Sequence, residues 1–113
     1  MNSTGRFELY LKQGDTEPAL EGQLLDAQGS AVNLSGATAR CLARDAITRE
    51  VVIDGACTIQ DPATGVIRYE WSAADTERAG VFQLEIEVTY GDGGRESFPN
   101  RGHMRLRITS EVA

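Results

Sequence analysis

The sequence predicts an all-β fold, two sheets of about seven to nine short strands packed face to face. Three observations predict it. Apolar and polar residues alternate from Val81 to Tyr90, a period of two that belongs to a half-buried strand. Gly, Pro, Asp and Asn clusters recur roughly every 8 to 12 residues, the spacing of turns between short strands. Twelve glycines, a single lysine and many Val, Ile and Thr residues favour strands over helices.

The elements follow in order. Arg6 to Lys12 alternates Phe7, Leu9 and Leu11 against Glu8, Tyr10 and Lys12, predicting a first strand. Gly14 to Pro18 is a turn. Ala19 to Asp26 places Leu20, Gly22 and Leu24 on one face. Gln28-Gly29-Ser30 turns the chain, and Val32 and Leu34 anchor the segment that follows. Ala37 to Arg44 points Ala39, Cys41 and Ala43 inward. These are small side chains, so a bulky neighbour must fill the layer opposite.

Glu50 to Ile53 and Cys57 to Gln60 flank Asp54-Gly55, a dipeptide typical of hairpins. Asp61 to Gly65 is a turn. Val66 to Trp71 carries Ile67, Tyr69 and Trp71 on one face. Ser72 to Gly80 reads as one short helical turn near 72–79, with Ser72 and Asp75 spaced as a capping box. Val81 to Tyr90 then runs into Gly91-Asp92-Gly93-Gly94, a tight reversal. Arg95 to Phe98 pairs on the way back until Pro99 and Asn100 break the strand. Met104, Leu106 and Ile108 complete it. The core is expected around Ile67, Tyr69, Trp71, Phe82, Leu84 and Ile86, because large aliphatic and aromatic side chains bury most area.

This is the pattern of an immunoglobulin-like β-sandwich. A tyrosine usually sits at the corner leading into the penultimate strand of such domains. Phe82 takes that place here and lacks the hydroxyl. At 113 residues the chain forms one domain with one core: a polar N-terminal arm over 1–6, a sandwich over 7–109 and a tail over 110–113.

Charge and composition exclude several functions. The formal net charge of -6 opposes nucleic-acid binding, which needs a basic footprint. No apolar run reaches the length of a membrane-spanning helix. The start, Met1 to Arg6, lacks the apolar centre of a signal peptide, so synthesis in the cytoplasm is expected. Cys41 and Cys57 read as reduced thiols acting as small apolar residues, since two Cys and one distant His give no zinc spacing. His103 reads as a surface residue, because no nucleophile and orienting acid converge on it. Asp15, Asp61 and Asp92 are turn acids, too sparse to hold calcium. The stripe Arg101, His103, Arg105 and Arg107 is expected to pair with Glu85 and Glu87 on the neighbouring strand, at about 0.2–1 kcal/mol per pair. No catalytic, cofactor or metal site is expected.

Three stretches together carry a resemblance: Leu11 to Leu34, Asp61 to Phe82 (DPATGVIRYEWSAADTERAGVF) and Glu85 to Gly102 (EIEVTYGDGGRESFPNRG). In order and spacing the chain resembles the immunoglobulin-like N-terminal domain of phage baseplate upper proteins, from about Phe7 to Ile108. In that family the domain fastens a stalk or fibre segment to the tail-tip hub. The resemblance implies a non-enzymatic structural protein of a tailed-phage virion, placed on tail, baseplate, neck or capsid. This chain ends at Ala113, so a stand-alone accessory copy is expected. Its expected partners are other virion proteins in a symmetric assembly, without nucleic acid or membrane. The family-like loop Lys12, Gln13, Gly14, Asp15 and Thr16 is the expected assembly loop, or else the bend by which the first strand changes sheets. The alternative is a carbohydrate- or receptor-binding module meeting a host surface glycan; it needs exposed aromatics, and only Tyr10 faces outward.

Overall fold

The computed structural model describes residues 8–100 and 102–111. The arm over 1–6, Phe7, Arg101 and the last two residues lie outside them. The described residues form nine strands: β1 (Glu8–Lys12), β2 (Leu20–Gln23), β3 (Thr38–Asp45), β4 (Val51–Ala56), β5 (Thr58–Asp61), β6 (Val66–Tyr69), β7 (Gly80–Thr89), β8 (Arg95–Phe98) and β9 (Met104–Thr109).

Two sheets result. One runs β1-β9-β7-β3-β4, with β8 also on β7; the other runs β2-β6-β5. The first strand lies parallel to the last, and the remaining pairs are antiparallel. The protein is a β-sandwich of these two sheets.

The ten residues of β7 organise the larger sheet. Phe82, Leu84, Ile86 and Val88 face inward and are buried. The first half of β7 pairs with β9 and the second half with β8. One returning strand is thus split in two at Pro99 and Asn100, where proline cannot supply a ladder N–H. Ile67 and Tyr69 from the smaller sheet, with Trp71 after it, are buried with these residues in a single core. Trp71 lies just beyond β6, its ring nearly perpendicular to that of Tyr69 with centroids 5.3 Å apart.

Two local expectations are corrected. Asp54-Gly55 is no hairpin turn: both residues lie inside β4, which pairs with β3 throughout. The chain then passes to the other sheet, β5 pairing with β6. Gly55 is small because the Tyr69 ring covers it; a Cβ there would lie 2.6 Å from Tyr69 Cε1 and from its hydroxyl. Gly55 pairs with Cys41 of β3, so the Tyr69 ring is a bulky group over this part of the layer of small side chains. The segment between β6 and β7 forms a series of turns, with Asp75 N–H bonded to the Ser72 carbonyl and Glu77 N–H to that of Ala74. The short 3-10 helix falls instead at Pro62–Thr64, where proline occupies a helix-start position that needs no N–H donor.

Candidate functional site

The Lys12–Thr16 loop carries the chain from β1 in one sheet to β2 in the other. Gly14 adopts φ +87°, the left-handed region that favours glycine. The loop is clamped to the 72–77 turns. Gly14 N–H donates to the Thr76 carbonyl at 3.0 Å, and the Thr76 hydroxyl donates to the Asp15 carbonyl at 2.8 Å. Gln13 Nε2 reaches the Glu77 carbonyl at 2.6 Å, and Trp71 Nε1 donates to the Pro18 carbonyl at 3.0 Å. Lys12 and Thr16 are exposed. The arrangement makes this loop a braced sheet-switching bend whose outer rim faces solvent.

Thr76, fully buried, is the residue that sequence reasoning missed. It sits in a polar run, Ser72 to Arg78, that reads as surface. The same corner recovers the hydroxyl that Phe82 lacks: Tyr69 donates to Asp75 Oδ2 at 2.6 Å. Asp75 and Ser72 exchange the reciprocal capping bonds that their spacing predicts. Burial, then the carboxylate of Asp75, pushes the Tyr69 phenol well above its ordinary range.

The outward face of the six-stranded sheet is a regular surface. Its cross-strand registers arrange side chains in rows. One row runs Glu8, Arg105, Gln83, Arg44 and Val51. The next contains Glu85, Leu42 and Asp54, with Glu87, Arg40 and Ser97 beyond. The expected pairing of the arginine stripe with Glu85 and Glu87 is corrected. Arg105 opposes Gln83, and both Arg105 and Arg107 lie 3.8 Å from Glu8 on β1. Because β8 takes the second half of β7, the arginines of β9 reach only its first half. Arg44 Nε donates to Gln83 Oε1 at 2.7 Å. Arg40 Nε donates to Asp54 Oδ1 at 2.8 Å. Among the described residues, Glu85 and Glu87 form no ion pair. Arg101 lies outside the described residues.

Cys41 is buried and Cys57 half-buried, and neither is bridged. Burial pushes the Cys57 thiol up to about 12 and that of Cys41 higher. His103 is half-buried. Asp15 and Asp92 sit in separate loops and Asp61 ends β5, Asp92 accepting from Gly94 N–H at 2.9 Å. No group of three or more His, Cys, Asp or Glu able to hold a metal occurs among the described residues. Tyr10 on β1 is 64% exposed, with Ile47 at 90% and Val51 at 60% near the β3–β4 connection. No helix among the described residues is long and apolar enough to cross a membrane.

No protein-family model matches the chain, and no curated protein matches it. Solved structures do. The N-terminal domain of phage TP901-1 ORF48 superimposes with a TM-score of 0.60 at 16% identity, over 97% of this chain and 87% of that one. CopC from Methylosinus trichosporium OB3b superimposes with a TM-score of 0.56 at 11% identity, over 95% of this chain and 88% of that one. At these identities what is shared is the sandwich fold.

Proposed function

We propose that this protein is a non-enzymatic structural subunit of a tailed-phage particle, packing its sandwich against neighbouring tail, baseplate, neck or capsid subunits. The observation that carries the reading is the likeness to the phage TP901-1 ORF48 N-terminal domain along nearly the whole length of both chains. The three sequence stretches that resemble baseplate upper proteins point the same way.

The geometry suits attachment work. A core sealed between two sheets makes the domain rigid, so its loops and strand edges are presented without ordering cost. The outer edges of β4 and β5 end their sheets and offer backbone donors and acceptors to another chain. The braced Lys12–Thr16 bend presents Lys12 and Thr16 at one end of the sandwich. In a symmetric particle small contacts suffice, because each bound copy raises the effective concentration for the next.

The test is quantitative mass spectrometry of purified particles from the phage that encodes this chain. The reading expects the chain at a fixed ratio to the major tail or capsid protein, retained through density-gradient banding. Its absence from banded particles overturns the reading.

A further inference from the structure

We propose that the outward face of the six-stranded sheet docks on the same face of a second copy of this chain. The two copies are related by a two-fold axis that crosses the strands between the Gln83 row and the Glu85 row. The inference goes beyond the phage reading and does not depend on it.

The face is divided into two bands along the strands. The band toward β1 and the start of β7 carries Arg44, Arg105 and Arg107, with Glu8 as the carboxylate beside them. The adjoining band carries Glu85, which has no ion pair among the described residues, Glu87, which stands opposite Arg40 without a direct ion pair, and Asp54, which is ion-paired with Arg40. Arg95, opposite Thr89, lies past the acidic band at the far end of β8.

This division decides the occupant. A partner of uniform charge would match one band and be repelled by the other. A two-fold axis lying in the contact plane and perpendicular to the strands keeps the strand columns but reverses the order of the rows. Each band then meets its opposite. A surface of this kind is complementary to itself, as an isologous interface requires.

The register gives the contact. Arg105 and Arg44 flank Gln83 on the neighbouring strands, each about 4.8 Å away across the sheet. Under the proposed axis Gln83 of one copy faces Glu85 of the other, so that carboxylate enters between two guanidiniums, and symmetry repeats the contact. Both arginines have N–H donors to spare. Arg44 is bonded to a neutral amide, and Arg105 shares Glu8 with Arg107. Leu42, half-buried on this outward face, lies against the aliphatic stem of Arg44 from the second copy, which gives the centre of the contact an apolar element.

The experiment is sedimentation equilibrium of the full chain, with two variants of reversed charge. The wild type is expected to show a monomer–dimer equilibrium. Glu85→Arg alone, and Arg44→Glu with Arg105→Glu together, should each raise the dimer dissociation constant about tenfold or more. An equimolar mixture of the two variants should recover a heterodimer. As a measurement that needs no variant, concentration-dependent amide shifts of the wild type should fall on the outward positions of β3, β7 and β9. A wild type that stays monomeric up to about 1 mM overturns the proposal. So does a dimer that neither variant weakens, or shifts confined to β4 or β5, which would indicate edge-to-edge pairing.

Discussion

The ring of Tyr69 lies over the backbone of Gly55, so close that a methyl group on that glycine would come within 2.6 Å of the ring and its hydroxyl. The ring has no room to retreat. Its hydroxyl is bonded to Asp75 and its ring packs at 84° to that of Trp71. Gly55→Ala is therefore expected to destabilise the fold by about 1–3 kcal/mol, the usual cost of overpacking a core. A lowered urea midpoint reads this directly. Gly91→Ala serves as the control, because its methyl meets the Gly36 carbonyl at an ordinary 3.4 Å. Equal midpoints for both variants would contradict the close approach.

Thr76 joins the sheet-switching bend to the turns before β7 through its buried hydroxyl. Thr76→Val keeps the shape and removes the donor, leaving the Asp15 carbonyl without it. A loss of about 1–3 kcal/mol is expected. Thr76→Ser, which retains the hydroxyl, should lose less. Hydrogen exchange at Gly14 and Gln13 should quicken in the valine variant, and unchanged exchange there would refute the clamp.

The phenols give a pH prediction. Burial first, then Asp75, raises Tyr69; burial first, then Glu96, pushes Tyr90 up to about 12. A phenol raised above its unfolded value of about 10 contributes stability that is fully present below that pH. The contribution is lost as the pH rises through the folded value. Absorbance titration of the native protein should show Tyr90 ionising near 12 and Tyr69 later, with Tyr69→Phe removing the last step. A Tyr69 step at the ordinary value would contradict the buried hydrogen bond.

The thiols give another. With both pushed far above the ordinary thiol range by burial, almost no thiolate exists at neutral pH. The native protein should react slowly with Ellman's reagent and release two equivalents on unfolding without reductant. Rapid reaction of one thiol in the native state would show that Cys57 is open to solvent.

Much of the fold was legible because a strand's burial is written in its own alternation. The ten residues of β7 could be read directly, as could the split returning strand, since Pro99 is incompatible with a continuous ladder. What escaped depended on distant residues. Asp54-Gly55 has the composition of a turn, and only the Tyr69 ring, fourteen positions on, makes it a place of close approach inside a strand. The pairing of Arg105 with Gln83 and Glu8, not with Glu85 and Glu87, follows from register, which the break at Pro99 and Asn100 fixes and which alternation alone leaves open. Thr76 was hidden by its polar neighbours. The loop Lys12–Thr16 was visible as a bend, but its bracing was not.

The proposed role, a rigid sandwich packed on neighbouring subunits of a phage particle, has a visible consequence. A density map of the whole particle tests it most directly. Symmetric copies of this sandwich are expected, seated through sheet face, strand edges or the Lys12–Thr16 end against other subunits. A map with every subunit assigned and no density for this fold would contradict it.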